Sequence, residues 1–346
     1  MTIKDISNKH IMSNALGIDE ESLDFFLKND LKFFKNKKEI DPANEKLYAY
    51  KKIYISKRGG GYREILKVES DELRNIQREI RRYLIKEYVP RECVHGFRKG
   101  KSPFTNAKQH LGKKYITVLD IKDFFPSISH SKVKDIFISL GCCNDIAENL
   151  SRLTTFQNSL PQGFYTSPII SNFALSKLDE KLEKYSIKNN ITYTRYGDDL
   201  TFSSNIEKID ISPIREIIKQ DGFSLNEKKT KNMNRGLNQV VTGLTVFDDK
   251  YPRIPKNIKK RLRLHMYYIK KYGSTNHLAI NNVGVNKKKF AWGVDNIFGW
   301  IYYINAIEPN IYKKYLPIIN NEKEYIKIIK EQMEEKMKFL AEDENL

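Results

Sequence analysis

The chain has 346 residues, of which 61 are Lys or Arg and 43 are Asp or Glu, so its formal net charge is +18. This length suffices for about two or three packed subdomains, and the basic excess favours a polyanionic partner. No apolar run reaches the roughly 18 residues of a membrane span, and the N-terminus lacks an apolar signal-peptide core, so we expect nucleic acid rather than a membrane. The three cysteines form no Cys-x-x-Cys pair, which predicts reduced thiols, no zinc site and a cytoplasmic location.

The first 50 residues are predicted to form a polar helical extension. Asp19, Glu20 and Glu21 precede an apolar segment, which is typical of a helix N-terminus. The segment 28–38 is strongly basic and is either a solvated helix face or a contact for RNA.

Residues 53–68 are predicted to form a hairpin around Lys57-Arg58-Gly59-Gly60-Gly61. The glycines permit positive φ and close approach of a backbone, and the flanking basic side chains could hold phosphates, although such a tip is also an ordinary turn. A helix is predicted over 73–87. Its apolar face consists of Leu73, Ile76, Ile80, Leu84 and Ile85.

A basic loop over 95–102 leads into a short predicted helix that carries Asn106 and His110. Residues four apart share one face of a helix, so these two side chains are expected to lie together. A structural histidine is the alternative to a functional one, because histidine is often partly buried for packing alone.

Two predicted strand segments deliver carboxylates. One runs over 114–121 and carries Asp120; the other is a hairpin over 191–204 whose turn holds Asp198 and Asp199. Adjacent carboxylates repel each other unless cations lie between them, and Mg²⁺ binds one or two carboxylates together with phosphate oxygens. An Asp-Asp pair at a hairpin tip is by itself ordinary turn chemistry, but the second strand makes a two-metal centre for in-line phosphoryl transfer the better prediction.

The segments around these strands predict an α+β fold. Helices are expected over 133–153, 171–184 and 212–220, the last with Ser212 as its cap, and a strand is expected over 240–246. The resulting order β-α-β-β-α-β predicts a ferredoxin-like sheet backed by helices.

The last part of the chain is predicted to be helical, after a boundary at 252–255. Aromatic and aliphatic side chains alternate with basic ones in the segment 256–272, which could follow a duplex through phosphate contacts; an ordinary amphipathic helix is the alternative. The basic residues proposed for this contact are Lys256, Lys259, Lys260 and Arg263. A buried helix is predicted over 298–304 and a charged one over 326–340.

With these motifs in order along the chain, the sequence resembles a bacterial retron reverse transcriptase. Tyr196-Gly197-Asp198-Asp199 matches the Tyr-x-Asp-Asp box of the superfamily, and Leu160-Pro161-Gln162-Gly163 with the following Ser171-Asn172 matches its turn and helix. Asn106-Ala107-x-x-His110 and Val241-Thr242-Gly243 match features of the retron branch.

The resemblance implies a right-hand polymerase with fingers, a ferredoxin-like palm and a helical thumb. The N-terminal extension would comprise 1–50, the fingers 51–115 with part of 126–160, the palm 116–250 and the thumb 251–346.

The resemblance also implies roles for single residues. Two Mg²⁺ ions, with Mn²⁺ as an alternative, would be held by Asp120, Ile121, Asp198 and Asp199. The incoming nucleotide would be contacted by Arg63, Lys57, Asp123, Phe125, Gln162 and Gly163. The bulk of Phe125 would exclude a 2′-hydroxyl, and Lys229, with Lys228 as its competitor, would give a proton to departing pyrophosphate. Nucleic acid would be contacted by Asn106, His110, Val241, Thr242 and Gly243, with an anchor between loop and palm as the alternative for His110.

The implied activity is RNA-directed DNA synthesis from deoxynucleoside triphosphates. A retron enzyme would start from a 2′-hydroxyl of a cognate structured non-coding RNA, leave a branched RNA–DNA product, and serve anti-phage defence with an effector protein encoded nearby. The alternatives are a group II intron or diversity-generating reverse transcriptase, and an RNA-binding scaffold whose catalysis is secondary. Group II intron and diversity-generating enzymes usually carry a maturase domain or have an accessory partner. We expect this chain instead to end soon after its thumb.

Overall fold

The computed structural model describes residues 1–36, 39–57, 60–280, 297, 299–311, 313–323 and 327, without the side chains of 275–280. These residues divide between two compact units, Met1–Leu237 and Asn238–Leu346. The second unit therefore begins earlier in the chain than the predicted boundary at 252–255, which stays a prediction.

The first unit opens with two short helices and a small sheet. They are α1 (Lys9–Leu16), α2 (Glu20–Lys28), β1 (Phe33–Phe34), β2 (Tyr50–Ser56) and β3 (Tyr62–Val68). Asp19 caps α2 by accepting a hydrogen bond from the amide of Ser22. The sheet has the order β1-β2-β3, and β2 pairs antiparallel with β3, as the hairpin prediction requires.

Two helices follow, α3 (Asp71–Glu87) and α4 (Pro103–Lys108). The predicted apolar face of α3 is buried except for Ile85, which is 46% exposed. Because α4 ends at Lys108, His110 lies in the turn after the helix rather than on it, contrary to the prediction.

The central sheet contains β4 (Tyr115–Asp120), β5 (Thr192–Tyr196), β6 (Asp199–Ser204) and β7 (Lys231–Asn234). Its spatial order is β5-β6-β4-β7, and all neighbouring strands are antiparallel. Along the chain these strands and the intervening helices give the predicted order β-α-β-β-α-β.

The helices around these strands are divided differently from the prediction, and the single helix predicted over 171–184 is two helices that meet at Leu175. In chain order the helices are α5 (His130–Ser139), α6 (Asn144–Thr154), α7 (Ser167–Ala174), α8 (Ser176–Lys188) and α9 (Ile211–Gln220). The single helix predicted over 133–153 is two helices, and positive φ at Gly141 (92°) marks the break. Asp210, rather than the predicted Ser212, caps α9 by accepting a hydrogen bond from the Ser212 amide.

The second unit contains β8 (Val240–Val241), β9 (Leu244–Thr245) and α10 (Lys256–Ile280), with non-helical backbone at Gly273. The strand predicted over 240–246 is wrong: Thr242 and Gly243 both have positive φ and form the tight turn of a hairpin. Further helical residues lie at 299–307, 309–311 and 313–323. Phe298, and all of the predicted helix 326–340 except Lys327, lie outside the described residues. None of the described helices combines the length and the apolar character needed to cross a bilayer.

Candidate active site

The strand register brings the predicted acidic residues to one end of the central sheet. Asp120 and Asp199 are direct partners of the β4–β6 ladder, and such Cα pairs lie about 4.5–5.5 Å apart. The amide of Ile121 donates a hydrogen bond of 3.1 Å to the carbonyl of Asp198. Gly197 and Asp198 form the two-residue turn between β5 and β6, with Gly197 at a φ of 66°. The backbone therefore holds all three aspartates in one place.

Burial and mutual repulsion make this cluster electrostatically unfavourable. Desolvation raises the pKa of Asp198 and, together with the charges of Asp198 and Asp120, raises the pKa of Asp199 to about 6. Lys229 donates hydrogen bonds of 2.9 Å to both oxygens of Asp120, and these bonds raise the lysine pKa. Three carboxylates thus share one close ammonium group, so a bound cation would relieve the repulsion between them.

The oxygen atoms of this cluster suit a cation that is also coordinated by water and by a substrate. Among the described residues no group of three His, Cys, Asp or Glu side chains is placed to hold a metal ion by itself, the three aspartates included, and the Asp120 carboxylate is engaged by Lys229. Mg²⁺ normally keeps waters and binds one or two carboxylates plus substrate phosphates, so a closed protein cage is not required. The carboxylates of Asp198 and Asp199, with Asp120 and the carbonyl of Ile121, suit that pattern.

The proposed nucleotide-binding residues come from three segments: the β2–β3 hairpin, the residues that follow β4, and the turn at 162–163. Arg63, Lys57 and Asp123 are exposed, and the positive charge of Arg63 offsets a small part of the rise in the Asp198 pKa that burial causes, which places this arginine within electrostatic range. Phe125 is half-buried with its ring centroid 5.1 Å from that of Phe124, which is buried as expected of a core side chain.

Gly163 is exposed and also packs closely against the protein itself, while the approach to nucleotide or primer–template predicted for it stays a prediction. A Cβ atom built on it would lie 2.6 Å from the carbonyl oxygen of Leu66 and 2.7 Å from Cγ2 of Ile65. The Leu66 amide also donates a hydrogen bond of 2.8 Å to the carbonyl of the half-buried Gln162. The glycine is therefore required by the close packing of this turn against β3.

Asn106 and His110 cannot touch nucleic acid in this structure, because both are fully buried. The His110 ring nitrogens Nδ1 and Nε2 each lie 2.7 Å from a hydroxyl oxygen, those of Ser203 on β6 and Thr194 on β5. The nucleic-acid contact predicted for these two residues is thus replaced by the alternative, in which His110 anchors the loop to the sheet.

A loop that the sequence did not connect with the site packs directly against the turn formed by Gly197 and Asp198. The amides of His95 and Gly96 donate hydrogen bonds of 2.8 and 3.3 Å to the carbonyl of Arg195. A Cβ atom on Gly96 would lie 2.2 Å from the amide nitrogen of Gly197. The ring of Phe97 lies 3.6 Å from a Cβ built on Gly197, and its centroid is 6.3 Å from that of Phe125. The loop is thus a wall of the site.

Beneath the turn lies a group that we call the buried arginine network, consisting of Arg195, Asp179, Asn172 and Tyr193. Arg195 and Asp179 are fully buried and joined by hydrogen bonds of 2.8 Å from Nε and 2.7 Å from Nη2. The Tyr193 hydroxyl donates a further hydrogen bond of 2.9 Å to the Asp179 carboxylate. Burial alone would lower the pKa of Arg195, but the charge of Asp179 outweighs it and raises that pKa. Arg195 remains a cation inside the core.

In the second unit, the predicted nucleic-acid contacts are partly accessible. Val241 is buried, so its side chain is not accessible for the nucleic-acid contact predicted for this residue, whereas Gly243 is exposed at the hairpin tip and Thr242 is half-buried. Lys256, Lys260 and Arg263 are exposed on α10. Lys259 is engaged instead by Glu308, with Nζ–O distances of 3.0 and 3.1 Å.

Comparisons with known proteins agree with the geometry. Residues 55–289 match the family model of the reverse transcriptase (RNA-dependent DNA polymerase). The Retron Ec86 reverse transcriptase of Escherichia coli is 28% identical over 92% of this chain and 91% of its own length. The Retron Ec73 reverse transcriptase of the same species is 30% identical over 76% of this chain and 85% of its own. For the Retron Mx65 reverse transcriptase of Myxococcus xanthus the identity is 33%, over 60% of this chain and only 53% of that relative. The chain thus spans about half the length of some of the relatives it matches.

Proposed function

The chain belongs to the reverse transcriptase family, within its bacterial retron branch, and on that premise we propose that it synthesises DNA on an RNA template from deoxynucleoside triphosphates. The observation that carries the proposal is the pairing of Asp120 with Asp199 at the end of the sheet, beside a turn that presents Asp198. Three carboxylates in one place suit phosphoryl transfer and have no comparable use in a purely RNA-binding scaffold.

In the proposed reaction, a terminal hydroxyl attacks the α-phosphorus of the incoming nucleotide and pyrophosphate departs. Two Mg²⁺ ions held by Asp120, Asp198, Asp199 and the Ile121 carbonyl, or Mn²⁺ in their place, would supply Lewis acidity to the attacking hydroxyl and charge neutralisation to the leaving group. Lys229, whose raised pKa keeps it protonated, serves as the proton donor to pyrophosphate.

The incoming nucleotide binds between the β2–β3 hairpin and the acidic cluster. Exposed Arg63 and Lys57 contact the triphosphate, Asp123 lies near it, and Gln162 contacts the sugar or base. Phe125 lies under the sugar, where its ring leaves no room for a 2′-hydroxyl and selects deoxynucleotides by steric rejection.

We assign the elements to a right-hand polymerase. Residues 51–115 with part of 126–160 act as fingers, the β4–β7 sheet with its helices acts as the palm, and 251–346 act as the thumb. The exposed basic side chains of α10, Lys256, Lys260 and Arg263, bind the phosphate backbone of nucleic acid.

The retron relatives support a more specific assignment. The enzyme starts synthesis from a 2′-hydroxyl of a cognate non-coding RNA in the cytoplasm and leaves a branched RNA–DNA product. That product takes part in anti-phage defence together with an effector protein encoded nearby.

The test is to co-express the chain with the RNA encoded next to its gene, treat the purified complex with ribonuclease, and look for resistant single-stranded DNA. We expect DNA from the wild type and none from Asp198→Asn, with RNA binding unchanged. Asp249→Asn, which alters an exposed aspartate of the second unit, is the matched control and should give wild-type DNA. DNA at wild-type level from Asp198→Asn would remove the catalytic role, and RNA binding without DNA from the wild type would favour the scaffold.

A further inference from the structure

We propose that Asn172 and Arg195 are positioning residues that hold the catalytic turn in register with Asp120, an inference that rests on the function proposed above. Neither side chain reaches the acidic cluster as a ligand. Arg195 acts on the backbone of Gly197, and Asn172 acts on the backbone of Gly96, which packs directly against Gly197.

The contacts converge on a single nitrogen of Arg195. Nη1 donates to the carbonyl of Gly197 at 3.2 Å and to Oδ1 of Asn172 at 3.0 Å. The Asn172 amide nitrogen then donates to the carbonyl of Gly96 at 3.2 Å. One guanidinium and one carboxamide therefore connect helix α7, the loop before α4 and the turn.

The rest of the network holds the guanidinium still. Asp179 lies in the first turn of α8 and binds Nε and Nη2, leaving Nη1 for Asn172 and Gly197. The ion pair with Asp179 compensates the buried charge through Nε and Nη2, but it leaves the hydrogens of Nη1 to other acceptors. The two bonds made by Nη1 are additional, and they fix the backbone position of the turn.

Displacement of the turn would be transmitted directly to the acidic residues. Gly197 is bonded to Asp198, whose carbonyl accepts the Ile121 amide next to Asp120. A shift of about 1 Å in reacting groups can cost roughly 100-fold in rate. The position of Gly197 is therefore expected to affect turnover more than affinity.

Gly96 offers an independent way to move the turn. Its φ is outside the left-handed region, so the backbone itself accepts alanine. The added Cβ would nevertheless lie 2.2 Å from the Gly197 nitrogen, where contacts below 3.0 Å essentially do not occur. Gly96→Ala must therefore separate the loop from the turn by about 1 Å.

The experiment compares Asn172→Ala and Gly96→Ala with Tyr193→Phe in the full chain. Tyr193→Phe removes one hydrogen bond to Asp179 but lies two residues further from the turn than Arg195, so it controls for general weakening of the network. Steady-state kcat and KM for deoxynucleotides are measured, together with thermal stability and hydrogen exchange of the peptide containing Ile121 in the absence of template.

We expect kcat to fall roughly 10- to 100-fold in Asn172→Ala and Gly96→Ala, with KM changed less than about threefold. Exchange at Ile121 should be faster in both, because its bond to the Asp198 carbonyl is weakened. Tyr193→Phe should keep kcat within about twofold and exchange at the wild-type rate.

Wild-type kcat and exchange in Asn172→Ala would overturn the positioning role, as would changes that only equal those of Tyr193→Phe. If Asn172→Ala does not fold, Asn172→Asp takes its place, because it keeps an acceptor for Nη1 and loses the amide donor to the Gly96 carbonyl, and wild-type kcat and exchange in it would likewise overturn the positioning role. A wild-type chain that makes no DNA would refute the proposed function, and exchange at Ile121 would still decide this inference.

Discussion

The single carboxylate of Asp179, buried beneath the β5–β6 hairpin, and the cluster of three aspartates at the hairpin's turn have opposite surroundings. Asp179 is fully buried, yet it receives hydrogen bonds from both Arg195 and Tyr193, so its charge is matched inside the core. At the turn, Asp120, Asp198 and Asp199 have Lys229 as their closest cation, and burial raises the pKa of both hairpin aspartates. A satisfied buried charge network makes the hairpin rigid, whereas the unsatisfied cluster at its tip keeps an affinity for added positive charge.

The largest effect on stability is expected from Asp179→Asn. Removing one partner of a buried ion pair leaves the Arg195 charge uncompensated, which costs about 3–5 kcal/mol. The measurement is the free energy of unfolding by urea at neutral pH.

A double variant, Asp179→Leu with Arg195→Met, sharpens this prediction. Replacing both charges by apolar groups should recover much of the lost stability. Turnover should stay low, because the bonds to Asn172 and Gly197 are gone. If Asp179→Asn alone is as stable as the wild type, the conclusion that Asp179 compensates the buried charge of Arg195 is contradicted.

Asp199→Asn is expected to raise the free energy of unfolding, whereas Asp179→Asn lowers it. Because burial and neighbouring charges raise the pKa of Asp199 to about 6, neutralising it in metal-free buffer at pH 7.5 should stabilise the chain by about 1–3 kcal/mol. DNA synthesis should be abolished in the same protein. A loss of stability would show that the acidic cluster is not strained by repulsion.

The pH dependence of that gain is a separate prediction. The folded-state pKa of Asp199 lies above its ordinary value of 3.8, so the folded protein binds this proton more tightly than the unfolded chain. Stability from this group is therefore present at low pH and is lost as the pH rises through about 6. The difference in unfolding free energy between Asp199→Asn and the wild type, followed from pH 4 to 8 without metal, should grow from near zero to its full value. A constant difference would exclude titration as its origin.

The smallest change in stability is expected from Lys229→Gln. Its ion pair with Asp120 is formed by a lysine side chain that is 59% exposed, and such pairs contribute roughly 0–1 kcal/mol. Turnover, by contrast, should fall about 10²- to 10⁴-fold if the lysine is the proton donor. Lys228→Gln is the matched control and should leave turnover near the wild-type value; equal losses in both would assign the effect to general charge.

Features of the chain that depend on near neighbours were predictable from the sequence. The β-forming residues on both sides of the turn-forming Gly197, Asp198 and Asp199 predict the β5–β6 hairpin, and the glycines at 59–61 predict the turn between β2 and β3. The order of strands and helices around the central sheet follows from the same local patterns. Local patterns were less successful at Gly141 and at Thr242–Gly243, where one long helix or strand was predicted and the structure has two short ones. One or two residues with positive φ end an element there, although the residue types on both sides still suit that element.

The sequence by itself determined that the chain carries aspartates at the ends of two β segments, because strand periodicity and turn composition are local properties. Only the tertiary structure decided that Gly163 packs against β3, that His110 is an internal anchor, and that Arg195 links Asn172 to the turn. These contacts join residues far apart in the chain or depend on which way a buried side chain points. Close packing of the folded core sets both, and spacing along the sequence does not encode either one directly.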